Sequence, residues 1–135
     1  MTPPSEETKN LEIVRRYFEA LTRGDDVAET FYAPDVIQDE FPNRFMPNGA
    51  RRDLEAIRQA GERGRRNMSS QVFEVLNAFA SGNQVVAEAL WSGTVRDGIG
   101  PIAAGTVMRA RFAIFFEFHG GVIVAQRNYD CFEPW

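Results

Sequence analysis

The segment QRNYDCFEPW carries two polar side chains whose types and spacing could serve chemistry. It follows an apolar run, GGVIVA, that is typical of a β-strand, so Asn128 and Asp130 should share one face of that strand. A carboxyl group can give or take a proton, whereas an amide cannot titrate but can orient a water or hold a carbonyl. A solvent-exposed strand edge would explain the same pattern. The neighbouring elements determine whether Asn128 and Asp130 line a pocket or lie at an exposed strand edge.

The composition restricts the class of protein. A length of 135 residues with 44% hydrophobic side chains predicts one domain, spanning residues 1–135, with a real core. The net charge of −4 argues against nucleic acid as a partner, because phosphates demand a basic surface. The single cysteine excludes an internal disulfide and a multi-cysteine metal site, and we expect neither a metal nor a cofactor. The polar N-terminus and the lack of a long apolar stretch predict a cytoplasmic protein with no membrane contact.

The chain up to residue 66 predicts three helices and one short strand. Ser5 is a typical N-cap, apolar residues recur at helical spacing from Leu11 to Leu21, and Gly24 is a typical stop. A short second helix is expected in VAETFY, capped by Asp25 or Asp26. DVIQDEF is typical of a short strand, and RRDLEAIRQAGERGRR predicts the third helix.

From residue 69 onward the pattern becomes that of long strands. SSQVFEVLNAFA and QVVAEALWSGTVR flank SGN, a hairpin turn signal, and TVMRARFAIFFEF and VIVAQRNYDCF flank HGG, a second one. Helices followed by four long antiparallel strands indicate an α+β fold, with the helices packed on one face of the sheet.

The order of elements and three segments resemble the nuclear-transport-factor-two-like superfamily. The segments are RRYFEALTRGD, FYAPDVIQDEF and FFEFHGGVIVAQRNYD, and the resemblance covers nearly the whole chain. The superfamily includes ketosteroid isomerases, SnoaL-like polyketide cyclases and limonene-epoxide hydrolases. The resemblance implies a cone-shaped curved antiparallel sheet that encloses, with three N-terminal helices, a deep and mostly apolar pocket. It does not select a function, because this scaffold hosts several chemistries as well as plain binding modules.

The resemblance implies roles for Tyr17 and Glu40. Tyr17 matches the tyrosine that ketosteroid isomerases use to stabilise an enolate oxygen, although a tyrosine at the edge of the core would look the same. Glu40 aligns with the general base of those isomerases, although Asp39 and Glu40 could also be a solvated pair beside Pro42. Strand alternation lets only one of the two acids point inward, and the sequence does not say which.

The third long strand lacks the second acid that these isomerases need. Alternation places an apolar set on the inner face and Arg109, Arg111 and Glu117 on the outer face. The position of the acid falls near Ile114. The gap argues against a steroid isomerase, and the outward arginines argue against an epoxide hydrolase, which needs an Arg and an Asp close together. Cross-strand ion pairs or a dimer surface fit those arginines better.

In the epoxide hydrolases and the cyclases an Asp stands where this chain has Asn128. Asp130, on the same face, is therefore the best candidate acid or base, although it could lie at the pocket mouth or cap a backbone N–H. That face is expected to carry further side chains, and other residues should line the pocket. The side chains expected on the Asp130 face are Val122, Val124, Gln126 and Phe132. The residues expected to line the pocket are Phe112, Ile114, Phe116 and Trp91.

Three other features carry weaker expectations. His119, in a hairpin turn, should face solvent, and Cys131 should be a small buried filler. The six arginines between Arg51 and Arg66 should form a solvated helix face, and an anionic ligand near that helix has no support.

Two functions from different classes follow. The first is cofactor-free acid–base chemistry of isomerase, cyclase or dehydratase type. Its substrate is a small, apolar, cyclic molecule with a carbonyl or hydroxyl group. Asp130 or Glu40 moves a proton, and Tyr17 and Asn128 hold an oxygen of the substrate. The second is a non-catalytic module that binds a small ligand or a partner, and epoxide hydrolysis is weaker than both. In the superfamily the outer sheet face often forms a homodimer, and Arg109, Arg111, Arg127 and Tyr129 are compatible with that arrangement.

Overall fold

A computed structural model describes residues 3–135 and confirms the α+β fold. Three helices pack on a curved, open, six-stranded sheet. The elements in chain order are α1 (Glu6–Arg23), α2 (Ala28–Phe31), β1 (Tyr32–Glu40), β2 (Ala50–Arg52), α3 (Leu54–Asn67), β3 (Met68–Ser81), β4 (Gln84–Val95), β5 (Val107–His119) and β6 (Val122–Phe132).

The ends of α1 follow local rules that the sequence displays. The Ser5 hydroxyl accepts a hydrogen bond from the Thr8 backbone N–H, and Gly24 ends the helix with a φ of 84°. The N-cap of α2 is Val27, which makes no side-chain cap hydrogen bond, but the carboxylate of Asp26, one residue earlier, accepts from the Ala28 backbone N–H. Local capping therefore determines where the helical layer begins and turns.

The strand order is β2-β1-β6-β5-β4-β3, and one pairing differs from the expected antiparallel sheet. β1 pairs with β6 in parallel, while every other pairing is antiparallel. The long connection through β2, α3 and three hairpin strands brings β6 back in the direction of β1. This parallel pair places Glu40 opposite Asn128 in the register, which joins two candidate site residues that are distant in sequence.

The third helix begins later than predicted. Residues Ala50–Arg52 form β2, antiparallel to β1, and the helix starts at Leu54 after Asp53, whose carboxylate accepts from the Ala56 backbone N–H. Arg51 therefore pairs with Asp39 and Arg52 with Gln38 in the strand register. A three-residue strand exists only because β1 offers a free edge, so its local sequence does not reveal it.

A register shift in β6 corrects the predicted face. Phe118 pairs with Ile123 and Glu117 with Ala125, so Val124 is an extra residue on β6. Because such a bulge changes the parity of a strand, Val122 and Val124 leave the face shared by Gln126, Asn128, Asp130 and Phe132, and Ile123 replaces them as a fully buried core residue.

The core lies between α1 and the concave face of β3, β4 and β5. Phe116 and Phe18 are almost fully buried there, with their ring centroids 6.1 Å apart in an edge-to-face arrangement. The predicted alternation of β5 is confirmed, since Met108, Ala110 and Ile114 are buried on the inner face. The wide end of the sheet, near β1, β2 and α3, is less completely filled and contains the cavity described next.

Candidate functional site

A cavity of about 320 Å³ lies between the concave face of the sheet, α1 and α3. This volume is within the range of small-molecule sites in proteins. One wall is apolar and the other is polar. The apolar wall includes Phe45, Phe73, Trp91, Phe112, Ile114 and Phe132, and the polar wall includes Tyr17, Tyr32, Gln38, Glu40, Arg52, Gln126, Asn128 and Asp130. The structure thus brings together Asp130, Glu40, Tyr17 and Asn128 in one pocket.

Asp130 is a half-buried carboxyl group in this cavity. It lies directly opposite Phe112 in the β5–β6 register, and its buried Oδ1 has no hydrogen-bond partner within residues 3–135. Burial, with a further contribution from the Glu40 charge, raises the pKa of Asp130 to about 7, against an opposing effect of Arg52. Near neutral pH this group can therefore either hold or accept a proton.

Glu40, rather than Asp39, faces the cavity. Its Oε1 lies 2.9 Å from an Arg52 guanidinium nitrogen, and its Oε2 accepts from the Asn43 amide at 2.8 Å. The Glu40 and Arg52 side chains are each only 11% exposed. Asp39 points to the other face, where it lies 3.6 Å from the exposed Arg51. Strand alternation on β1 and β2 thus separates one buried ion pair from one surface pair.

Arg52 is a functional candidate whose predicted position is wrong. It was expected on a solvated helix face, but it lies on β2 and its guanidinium points into the cavity, between Gln38 at 3.0 Å and Glu40. A signal was present, since two adjacent arginines in a strand must point to opposite faces. Without the β1 pairing, nothing marked these residues as a strand.

Two tyrosines, one glutamine and one asparagine form a hydrogen-bonded chain along the polar wall of the cavity. The Tyr17 and Tyr32 hydroxyl oxygens lie 2.9 Å apart, Tyr32 donates to the Gln126 Oε1 at 2.6 Å, and the Gln126 amide donates to the Asn128 Oδ1 at 2.9 Å. Burial raises the pKa of Tyr17, and it raises that of Tyr32 further, so both phenols stay neutral. Tyr32, and Gln38 whose amide lies 3.5 Å from the Tyr32 hydroxyl, are not among the predicted site residues, because buried polar residues resemble solvated ones in a sequence.

Three of the four side chains predicted to form the apolar lining lie at the cavity. Phe112, Ile114 and Trp91 line the cavity, with the Trp91 and Phe112 rings stacked at a centroid distance of 6.0 Å. Phe116 does not. It lies further along β5 beneath α1, where its ring packs edge-on against Tyr17 at 5.5 Å. Phe116 is thus a core residue that supports Tyr17 from behind.

Of the remaining predictions from the sequence, some agree with the structure and one does not. Arg111 forms a cross-strand ion pair with Glu88 at 3.4 Å on the outer face, as one of the expected alternatives states. His119 is exposed at the end of β5, also as expected. Cys131 is exposed rather than buried, because it lies on the outer face opposite Arg111. No acid of β5 lines the cavity, in agreement with the gap predicted near Ile114.

We expect Glu40→Gln to lower the pH at which Asp130 titrates. The Glu40 charge raises the pKa of Asp130, and the neutral amide removes that repulsion while freeing Arg52 to attract the Asp130 carboxylate. NMR titration of the Asp130 side-chain carboxyl carbon measures this midpoint. The control is Asp39→Asn, which alters a carboxylate on the opposite face of the strand and should leave the midpoint unchanged. An upward shift in Glu40→Gln would contradict the proposed coupling.

Two classes of feature are absent from the part of the chain that the structure describes. Among residues 3–135, no cluster of three or more His, Cys, Asp or Glu side chains is arranged to hold a metal ion. In the same range, no helix is both long and apolar enough to cross a membrane.

Solved structures with the same fold span nearly all of the chain. IdmH from Streptomyces antibioticus, described as a candidate polyketide cyclase, is 17% identical, with a TM-score of 0.76 over 90% of this chain and 91% of its own. A protein from Xanthomonas campestris with the same description is 26% identical, with a TM-score of 0.72 over 93% and 92%. A hypothetical protein with a ketosteroid isomerase-like fold from Catenulispora acidiphila, in complex with trimethylamine, is 21% identical, with a TM-score of 0.69 over 87% and 84%.

A search of curated proteins gives no match. The family model of the SnoaL-like domain matches residues 14–126, a span that includes α1 from Val14 onward and most of the sheet but ends before Asn128 and Asp130. The chain therefore belongs to the SnoaL-like domain family.

Proposed function

We propose that this protein is a cofactor-free acid–base enzyme that acts on a small, largely apolar, cyclic molecule bearing a carbonyl or hydroxyl group. The observation that carries the proposal is the environment of Asp130, a half-buried carboxyl with an unpartnered oxygen and a raised pKa of about 7, in a cavity whose opposite wall is aromatic. A general base works best when its pKa lies near the working pH. Such desolvated carboxyl groups occur preferentially at functional sites.

In this mechanism Asp130 removes a proton from a carbon next to the carbonyl and returns it at another position. Glu40 is held by Arg52 and Asn43, so it acts as a fixed negative charge that raises the basicity of Asp130. Tyr17 and Asn128 are the candidates for holding the substrate oxygen as charge develops on it. The aromatic wall excludes water and orients the ring of the substrate.

The relatives support the reaction class rather than the substrate. Ring closure in a polyketide, as the descriptions of IdmH and the Xanthomonas protein suggest for those proteins, can begin with removal of a proton next to a carbonyl. Isomerisation and dehydration next to a carbonyl begin with the same step. We therefore propose enolate chemistry, of cyclase, isomerase or dehydratase type.

Two other functions remain as alternatives, each favoured by one observation. The absence of a cavity-lining acid on β5, together with an amide at position 128, favours a non-catalytic ligand-binding module. The presence of Arg52 beside Asp130 in the cavity favours epoxide hydrolysis, for which the sequence offered no suitable arginine.

Proton exchange in heavy water separates these functions. We would follow cyclic ketones, enones and terpenoid epoxides by NMR with the wild type and with Asp130→Asn. Exchange next to a carbonyl that disappears in the variant supports the proposal, and diol formation from an epoxide supports the hydrolase. Ligand line broadening without turnover, equal in both proteins, would overturn the Asp130 mechanism and leave a binding module.

We also propose that the outer sheet face forms a homodimer. It exposes a set of large apolar side chains among ion pairs such as Arg111–Glu88, and the set consists of Ile37, Phe41, Val72, Phe79 and Tyr129. Scattered apolar residues are normal, but several on one sheet face are typical of an interface. Light scattering coupled to size exclusion should give twice the mass of one chain for the wild type and a single mass for Phe79→Glu. A monomeric wild type at micromolar concentration would refute the dimer.

A further inference from the structure

Asn128 turns one end of its amide into the cavity, and the hydrogen bonds behind it determine which end. Its Oδ1 accepts from the Gln126 Nε2 at 2.9 Å. Its Nδ2, which carries two N–H groups, has no acceptor within residues 3–135. The side chain is half-buried and lines the cavity beside Asp130, so these donors face the space that a ligand would fill.

The donor and the acceptor of each hydrogen bond in the chain can be assigned by starting from Arg52. A guanidinium group can only donate hydrogen bonds, so the atom of Gln38 that lies 3.0 Å from Arg52 is its Oε1. The Gln38 Nε2 then points towards the Tyr32 hydroxyl oxygen, 3.5 Å away. The Tyr32 oxygen is therefore an acceptor on this side.

The next contact determines where the Tyr32 proton goes. The 2.6 Å distance from the Tyr32 oxygen to Gln126 is typical of an O–H···O bond and shorter than an N–H···O bond. Gln126 therefore presents its Oε1 to Tyr32 and its Nε2 to Asn128. Because the Tyr32 proton is used in this bond, Tyr17 donates its own proton to Tyr32 across their 2.9 Å contact. The Tyr17 hydroxyl thus has no proton left for a ligand.

We infer that the Asn128 amide, and not the Tyr17 hydroxyl, donates the hydrogen bond that holds the substrate carbonyl oxygen. The inference rests on the proposed function in taking the ligand to be a carbonyl compound. Asn128 and Asp130 lie two residues apart on one strand face, which separates their backbones by about 6.6 Å. A donor for the oxygen and a base for the adjacent carbon then lie side by side. Gln126 and Tyr32 are positioning residues, since they act only through Asn128.

The test uses infrared spectroscopy of a bound ketone. The probe is 1-tetralone with a ¹³C-labelled carbonyl, measured with wild type, Asn128→Leu, Gln126→Met and Tyr17→Phe at about pH 9, where Asp130 is ionised and cannot donate. Circular dichroism checks that each variant is folded. Because the readout is the carbonyl stretch of a bound ligand, it requires no turnover, and its result is separate from that of the exchange experiment.

We expect the wild type and Tyr17→Phe to shift the carbonyl stretch to lower wavenumber. Asn128→Leu should lose the shift and bind about five- to tenfold more weakly, and Gln126→Met should broaden the band because the amide is no longer held. A shift retained in Asn128→Leu but lost in Tyr17→Phe would overturn the inference, since the chain would then run in the opposite direction. Failure of the wild type to bind the ketone at millimolar concentration would overturn it as well.

Discussion

Asp130→Asn should lose about 10²–10⁴-fold in the rate of proton exchange while making the folded protein more stable above neutral pH. The loss of rate follows because an amide cannot accept a proton from carbon. In the wild type, kcat/KM should rise with pH and level off above about 7, since only the ionised Asp130 acts as a base. The matched control, Asp39→Asn, makes the same chemical change on the outer face and should keep both the rate and its pH profile.

The gain in stability comes from linkage between folding and the protonation of Asp130. In the unfolded chain this carboxyl releases its proton near its ordinary value of 3.8, whereas in the folded protein it keeps the proton until about pH 7. Between these values the unfolded state binds fewer protons, so the free energy of unfolding falls as the pH rises. Above neutral pH the ionised, desolvated group costs on the order of 2–4 kcal/mol, and Asp130→Asn removes that cost.

Urea unfolding from pH 4 to pH 8 measures this effect. The wild type should lose stability relative to Asp130→Asn as the pH rises from about 4 to 7, the difference should level off above 7, and the two should converge at the low end, where both side chains are neutral. A stability difference that does not depend on pH would contradict the raised pKa of Asp130. Unchanged exchange rates in a folded Asp130→Asn would remove this residue from the mechanism.

Arg52→Met should destabilise the protein by about 3–5 kcal/mol, because it leaves the Glu40 carboxylate buried and unpaired. The two side chains are each 11% exposed and lie 2.9 Å apart. Arg52 also holds Gln38, so its loss releases the start of the hydrogen-bonded chain that leads to Asn128. Because Arg52 lowers the pKa of Asp130, the variant should also raise the pH at which Asp130 titrates.

A matched control and a double variant test this interpretation. Arg51→Met removes the exposed neighbour that pairs with Asp39, and should cost about 1 kcal/mol or less. Combining Arg52→Met with Glu40→Leu removes both charges and should recover much of the lost stability, since no buried charge remains. Urea unfolding at pH 7 measures all of these proteins. Equal losses for Arg51→Met and Arg52→Met would show that the Glu40 pair is not desolvated.

The sequence by itself determined the local elements and the faces of the strands. The Ser5 cap, the Gly24 stop and the two hairpin turns depend on residues close in the chain. The period-two pattern of β5 correctly placed Phe112 and Ile114 inside, and the same rule on β6 correctly placed Asn128 and Asp130 together. These features follow from backbone geometry that neighbouring residues control.

Only the tertiary structure decided what those side chains meet. The choice of Glu40 over Asp39 required the register of β1 against β2 and β6, and the role of Arg52 required a three-residue strand that exists only beside β1. The bulge at Val124 reversed part of a face that strict alternation had placed inside. The raised pKa of Asp130 depends on burial and on charges contributed by two other strands, which are long-range effects that local sequence does not encode.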